Sequence, residues 1–130
     1  MKNLSLILAG AALALSGGAA VAADTPSKAE VKLNKMLEGR IAGEPTRCIN
    51  AIRSEKLEVI DRVGVAYDAG DTIYLARASD PDSLRDRDIL IVDRFGAQLC
   101  TSDVKQTVGR YDGMLRSVVF LDDFVPYRRG

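Results

Sequence analysis

The sequence predicts a mainly β fold, a small antiparallel barrel or sandwich with one N-terminal α-helix. From Arg47 onward, apolar residues recur with a period of about two, which is the spacing of a strand with one buried face. β-branched residues dominate the same stretch, and turn-forming residues separate the apolar runs. Strands at a spacing of roughly 8–15 residues are typical of small barrels and sandwiches.

Residues 1–23 have the pattern of a Sec-type signal peptide. A lysine near the start is followed by an almost unbroken apolar run from Leu4 to Leu15 and by the small-residue pattern Ala20-Val21-Ala22. We therefore expect cleavage after Ala22 or Ala23 and export to the periplasm. A retained membrane anchor is the alternative, but the apolar run is shorter than the ~20 residues that a spanning helix needs. No cysteine suited to lipid attachment lies near the cleavage pattern, and there is no twin-arginine pair.

Residues 24–130 are expected to form a single domain. About 107 residues are enough for one hydrophobic core, and no long repeat or flexible linker divides them. Without Lys2 they carry 17 basic and 18 acidic residues, a net charge of −1. Binding to nucleic acid or to an anionic membrane surface requires a basic surplus, so neither partner is expected. We interpret Arg128 and Arg129 as a solubilising tail.

Cys48 and Cys100 are the two cysteines of the chain. In an oxidising periplasm, such a pair in a small domain is most simply one disulfide. Closing a loop of about 50 residues stabilises a fold by about 4 kcal/mol in the chain-entropy model. A redox pair or a metal site is the alternative, but the chain has no C-x-x-C motif and no further soft or imidazole ligands. We expect a structural bridge that ties the first strand to the middle of the sheet.

Residues 26–38 are predicted to form the helix. Thr25 or Ser27 is suited to cap it, Glu30 stands at capping-box spacing from Ser27, and Gly39 ends it. One narrow face of this helix is apolar and consists of Ala29, Leu33, Met36 and Leu37. The helix is therefore expected to pack on the edge or the face of a sheet.

Seven strands are predicted after the helix. Their ranges are Cys48–Arg53, Lys56–Ile60, Val63–Tyr67, Thr72–Ala76, Ile89–Asp93, Val104–Val108 and Leu115–Leu121. The clearest hairpin joins the third and the fourth, because Gly70 can adopt the left-handed conformation of a type I turn with a bulge. A second hairpin is predicted around Arg110-Tyr111-Asp112-Gly113.

The C-terminal segment is the most aromatic part of the chain. We expect Phe120 in the core, Phe124 closing one end of the barrel and Pro126 ending the sheet edge. The alternative is an exposed recognition surface formed by Phe124 and Tyr127.

The chemistry that the chain lacks limits its function. It contains no histidine, which removes the commonest general base, the Ser-His-Asp and Cys-His arrangements and imidazole metal ligands. No phosphate-binding glycine loop is present. No catalytic residues and no cofactor are therefore predicted.

Carboxylate chemistry is still available to the chain. Two Asp or Glu residues suffice for glycoside hydrolysis. The candidates are Glu55, Glu58, Asp61, Asp68 and Asp71. No two of them are marked by their spacing as facing each other across a cleft.

The densest acidic stretch is 79–88. Hard cations such as Ca²⁺ bind clustered carboxylates, and the weak candidate ligands here are Asp80, Asp82, Asp86 and Asp88. The spacing is not that of an EF-hand, and Arg85 and Arg87 would partly neutralise a bound cation. We therefore predict no metal and interpret 79–88 as a solvated loop or a short helical turn capped by Ser79 or Ser83.

Several motifs stand in a characteristic order along the chain. They are Cys48-Ile49, Tyr67-Asp68-Ala69-Gly70 with Ile73-Tyr74, Gln98-Leu99-Cys100 and the terminal Phe124-Val125-Pro126-Tyr127-Arg128-Arg129. In this order the chain resembles a group of small secreted proteins from Gram-negative proteobacteria, over nearly the whole of residues 24–130. The resemblance implies an envelope location and paired cysteines. That group has no established activity, so the resemblance implies no catalytic or ligand-binding residues.

The leading hypothesis is a non-catalytic periplasmic binding or accessory module that acts on another envelope component, such as a protein partner. Sheet edges and loops would form its contact surface. The first alternative is an inhibitor of an envelope or secreted hydrolase, in which Asp82 and Leu84 of an exposed loop contact the target. The second alternative is a small carboxylate-dependent glycan hydrolase.

Overall fold

The structure is a computed structural model of the chain and describes residues 25–130. Within this range it contains ten strands in three antiparallel sheets and one α-helix, which confirms the predicted fold class. The expected signal peptide, residues 1–23, and its cleavage site lie outside the described residues.

The helix α1 (Lys28–Met36) is shorter than predicted by two residues at each end. The Ser27 side chain caps it by accepting a hydrogen bond from the Glu30 backbone N–H, with Oγ and N 3.2 Å apart. Gly39, with a φ of 73°, follows the last turn in the left-handed conformation that commonly ends a helix.

The ten strands belong to sheets of five, three and two strands. In chain order they are β1 (Arg40–Ala42), β2 (Cys48–Asn50), β3 (Leu57–Ile60), β4 (Gly64–Asp68), β5 (Thr72–Arg77), β6 (Ile89–Asp93), β7 (Gln98–Cys100), β8 (Val104–Val108), β9 (Leu115–Val118) and β10 (Val125–Arg129). The five-stranded sheet has the order β1-β10-β5-β4-β3, and the three-stranded sheet has the order β6-β8-β9. β2 and β7 form a separate two-stranded ribbon.

Both faces of the five-stranded sheet are buried. Because side chains alternate along a strand, β4 directs Ala66 to one face and Val65 and Tyr67 to the other. Ala66 packs in a cluster with Leu33 of α1, so the helix covers the face of the sheet. Val65 and Tyr67 pack in a second cluster with Leu99 of β7 and with residues that follow β9. The result is three layers, with the helix outermost on one side and the two smaller sheets on the other.

Both predicted hairpins are present. In the turn between β4 and β5, Gly70 has a φ of 94° and its backbone N–H donates to the Asp68 Oδ1 at 2.9 Å. In the turn between β8 and β9, Gly113 has a φ of 65°, and the pairing shifts register between Thr107 and Val108. Each turn therefore places a glycine where positive φ costs least.

Strands β1, β7 and β10 were not predicted from the sequence. β10 lies inside the sheet, between β1 and β5, so the prediction that Pro126 ends the sheet edge is wrong. The Pro126 carbonyl accepts from the Gly43 N–H at 2.7 Å. The missing N–H of proline faces the same side, just beyond the end of β1, so the sheet loses little by it.

The prediction that Phe120 belongs to the core is also wrong. Phe120 is 68% exposed, whereas its neighbours Val119 and Leu121 are buried. Alternate residues of an extended segment point in opposite directions, and the register here turns Phe120 outward. Phe124 is fully buried. Tyr127 packs against the cluster that contains Leu33 of α1. Phe124 and Tyr127 therefore do not form the alternative recognition surface.

Cys48 and Cys100 form the expected disulfide. The bridge does not tie the first strand to the middle of a sheet. Instead, the two cysteines are directly opposite each other in the ribbon of β2 and β7, with their Cα atoms 4.0 Å apart. The difference arises because Gln98–Cys100 is itself a strand that pairs with β2.

The two larger sheets are joined on one side only. Ala78, after β5, and Leu121, after β9, form an isolated antiparallel bridge. Beside it, the Ser79 N–H donates to the Phe120 carbonyl at 2.8 Å. At the other side, β3 pairs only with β4 and β6 pairs only with β8 within the described chain. The fold is therefore an open sandwich.

No helix within residues 25–130 is long and apolar enough to cross a membrane.

Candidate binding cleft

A cleft of about 660 Å³ lies between β3 and β6, along the edge of each strand that has no strand partner within residues 25–130. Its apolar part is formed by side chains of both edge strands and of the ribbon beneath them. These are Leu57, Val59, Leu90, Val92, Leu99 and Ala51, and Ile89 adds to them at the start of β6. Leu57, Val59, Leu90 and Val92 are only partly buried and pack against the core cluster that contains Leu99, so the cleft is a continuation of the core toward solvent.

The alternation of β6 explains how the sequence creates this apolar wall. Leu90 and Val92 face the core, while Ile89 and Ile91 are 41% and 42% exposed on the other face. An alternation of this kind would place polar residues on a solvent face. In β6 both faces are apolar, so the strand borders the cleft on one side and presents hydrophobic groups on the other.

Asp86 and Asp88 mark the end of the cleft where β3 finishes and β6 begins. The Asp61 Oδ1, just after β3, accepts from the Asp86 backbone N–H at 3.1 Å and from the Arg85 Nε at 3.3 Å. These bonds hold the loop that carries both aspartates against the end of β3. Arg110 also lines this end, so the side chains that line it are two aspartates and one arginine.

Arg94 marks the opposite end, where β6 finishes. Its Nη1 donates to the Ala51 carbonyl at 2.5 Å. This hydrogen bond places the positively charged guanidinium beside Ala51, which also lines the cleft. Along the helix side, the Lys32 Nζ of α1 forms an ion pair with the Glu58 carboxylate of β3. The rim therefore has an acidic surplus at one end, a basic group at the other and a paired charge between them.

The segment 79–88 contains a short helical turn at Pro81–Ser83. The cap is not Ser79 or Ser83, because the Asp80 side chain accepts from the Asp82 N–H at 3.2 Å. Leu84 is fully buried in the core between the two larger sheets. The expectation that Leu84 contacts a target from an exposed loop is therefore wrong, whereas Asp82 is exposed.

The four candidate metal ligands have different surroundings. Asp80 caps the helical turn, Asp82 lies 3.7 Å from the Arg62 Nε, and Asp86 and Asp88 line the cleft. Across residues 25–130, no group of three or more His, Cys, Asp or Glu side chains is placed to hold a metal ion.

The five candidate catalytic carboxylates lie on separate elements. Glu58 lines the cleft and pairs with Lys32, whereas Asp61 holds the adjoining loop. Glu55 belongs to a short helical turn at Ser54–Lys56, and Asp68 and Asp71 belong to the turn between β4 and β5. Glu58 is thus the only member of this set that lines the cleft.

Lys105 is a buried residue that the sequence analysis did not single out. It is 1% exposed, and its Nζ donates to the carbonyls of Cys100, Thr101 and Asp103 at 2.8, 3.1 and 2.7 Å. Burial lowers the pKa of the Lys105 ammonium, and the Asp103 carboxylate acts in the opposite direction. The one available indication was its inward position in the alternation of β8. Its role is to hold the turn that follows the disulfide.

The outward side of the three-stranded sheet and of the segment after it is rich in exposed apolar groups. We call this surface the outer face, and its members are Ile91, Val104, Leu115, Val118 and Phe120. Leu90 and Val92 project from the opposite side of β6. Substitutions on the outer face therefore serve as controls for substitutions in the cleft.

Comparisons of the chain with protein-family models, with curated proteins and with solved structures give no match. The fold and the cleft together define a small disulfide-bridged β domain with an open interstrand cleft.

Proposed function

We propose that the chain is an exported, non-catalytic module that binds another component of the cell envelope in the cleft between β3 and β6. The observation that carries this proposal is the apolar wall and charged rim of the cleft. Binding sites are typically concave, mostly apolar and about 300–1,000 Å³ in volume, with a few polar groups that orient the ligand. The cleft has a volume in this range and a continuous apolar wall, and polar or charged side chains make up the other half of its lining.

Two features support an envelope location. The pattern of residues 1–23 is that of a signal peptide, and the Cys48–Cys100 disulfide is of a kind that persists in oxidising compartments. The periplasm of a Gram-negative bacterium has both an export route and an oxidising environment.

The non-catalytic role rests on the residue types that are available. The chain has no histidine, and both of its cysteines are in the disulfide. Acid–base catalysis would then depend on the carboxylates in the cleft, of which Glu58 is held by Lys32, while Asp86 and Asp88 lie together at one end. Binding requires none of these groups to exchange a proton.

A photoreactive residue at position 54 tests the proposal. Ser54 is exposed and lines the cleft, whereas Glu44 is exposed in the segment between β1 and β2 and serves as the control position. We expect a crosslinked adduct in the native periplasm from position 54 and none from position 44. The partner is then identified by mass spectrometry, purified and bound to the isolated chain.

Three outcomes would redirect the proposal. Adducts of equal yield from both positions, or none from position 54, would contradict binding in the cleft. A captured hydrolase that loses activity on binding would identify the module as an inhibitor. Turnover of peptidoglycan or polysaccharide by the purified chain would contradict a non-catalytic role.

A further inference from the structure

We infer that the ligand of the cleft is an extended polypeptide segment that adds as an antiparallel strand to the free edge of β3. The segment carries apolar residues at alternate positions, a basic residue at its N-terminal end and an acidic residue at its C-terminal end. This inference rests on the proposed function, because it assigns a class of ligand to the same cleft.

Both strands that border the cleft have an open edge. Among the strands of residues 25–130, β3 pairs only with β4 and β6 pairs only with β8, and the other edge of each borders the cleft. An open edge presents a row of free backbone N–H and C=O groups, which an extended chain satisfies by strand addition. At about 3.4 Å per residue, the edge of β3 accommodates four or five residues of a ligand.

The apolar side chains of the two edge strands are evenly spaced along the cleft. Leu57 and Val59 alternate along β3, as Leu90 and Val92 do along β6. A strand laid between them directs every second side chain toward this apolar wall, and the intervening ones toward solvent. The cleft therefore selects a segment with alternating apolar residues.

The charged side chains at the two ends of the cleft give a bound strand its direction. β3 runs toward the end of the cleft that carries Asp86 and Asp88, and away from Arg94. All pairs in the five-stranded sheet are antiparallel, so an added antiparallel strand begins beside the two aspartates and ends beside Arg94. A basic N-terminal residue and an acidic C-terminal residue complement these ends.

The probe is the acetylated and amidated peptide Lys-Val-Thr-Val-Thr-Val-Glu. Its control is Glu-Val-Thr-Val-Thr-Val-Lys, which has the same composition and hydrophobicity. We expect the first peptide to bind at least tenfold more tightly by isothermal titration calorimetry. Amide shifts in NMR spectra should be confined to β3, β6 and their adjoining loops. Equal affinities, or shifts on the outer face only, would overturn the inference.

A charge reversal in the protein provides a matched comparison. Asp88 lines the cleft, whereas Asp93 lies at the end of β6 and does not line it. We expect Asp88→Lys to remove the preference for the first peptide and Asp93→Lys to preserve it. Because both substitutions change the net charge equally, a similar effect of both would mean that long-range charge causes the preference, and the inference would be wrong.

Backbone methylation tests strand addition directly. In an added strand, alternate amides point to β3 and the others point away. N-methylation of one alternate set of probe amides is expected to abolish binding, and methylation of the other set to leave it within threefold. No loss with either set, or equal loss with both, would contradict addition at β3.

The outcomes separate this inference from the proposed function. If position 54 crosslinks a partner but neither peptide binds, the ligand is not a strand of this kind and the binding proposal stands. If neither experiment detects binding, both proposals fail.

Discussion

Truncation of Leu84 to alanine is expected to destabilise the fold and to loosen one end of the cleft. Leu84 is fully buried among core residues of both larger sheets. Its carbonyl accepts from the Arg62 N–H at 2.9 Å. Two residues further along, the loop carries Asp86 into the cleft. The leucine side chain thus anchors a segment whose exposed part contributes to the rim.

The magnitude follows from the atoms removed. Leu84→Ala deletes three carbon atoms, worth about 0.8 kcal/mol each in transfer from water. The cavity that remains adds a further penalty, so the total loss of unfolding free energy is about 3–4 kcal/mol. For a domain of this size, that loss lowers the melting temperature by roughly 10–20 °C.

Urea denaturation followed by circular dichroism measures this loss. Ile52→Ala is the matched control, because Ile52 is 70% exposed and its truncation should cost less than about 0.5 kcal/mol. A Leu84→Ala variant within that same limit would refute the assignment of Leu84 to the core. It would restore the hypothesis that this loop presents Leu84 to a target.

Three further predictions concern the disulfide and two charged groups. Replacing both Cys48 and Cys100 by serine should lower the unfolding free energy by about 4 kcal/mol, and a loss below about 1 kcal/mol in urea denaturation would contradict a stabilising bridge. Lys105→Met leaves three carbonyls without their donor and should cost about 2–3 kcal/mol, whereas unchanged stability would show that those bonds contribute nothing. The pKa of Asp112 is held below its usual value, first by the hydrogen bond from the Met114 N–H. The Asp112 carboxylate therefore stabilises the fold above its unfolded-state pKa, and this stabilisation is lost as pH falls through the lower folded-state pKa. An NMR titration in which this carboxyl titrates at or above the usual pKa would contradict that assignment.

The elements that the sequence predicted well are those in which local pattern and tertiary structure agree. Strands β6 and β8 match their predicted ranges in full, because each is a short run rich in β-branched residues that lies between turn residues. Gly70 and Gly113 marked both hairpins, since a positive φ is a local requirement that few other residues meet.

The elements that the sequence did not predict depend on partners far away in the chain. β1 and β7 are three residues long, too short for a periodic pattern to be recognised. β10 contains Pro126, which is unfavourable in most sheet positions, and only its location beside the end of β1 makes it acceptable.

The sequence does not predict the cleft, because the cleft also depends on strands that are far apart in the chain. Leu57, Val59, Leu90 and Val92 are recognisable as inward residues of their strands. No local sequence pattern indicates that β3 and β6 each keep one edge without a strand partner within residues 25–130, or that both edges lie at the same side of the sandwich. In the sequence, the aspartates of 79–88 form one cluster. In the structure, the helical turn and the buried Leu84 divide this cluster, so Asp86 and Asp88 lie apart from Asp80 and Asp82.

The disulfide and the cleft are connected through the ribbon of β2 and β7. Leu99 belongs to β7, and Ala51 follows β2 with its N–H donating to the Ala97 carbonyl at 2.8 Å, so the floor of the cleft is built on the two strands that the bridge joins. A two-stranded ribbon is only marginally stable by itself, and here the covalent link holds it in register beneath the cleft, which no strand of the described chain covers. Reduction of the bridge should therefore weaken ligand binding in the cleft more than it alters the helix-side core, since that core contains no residue of the ribbon.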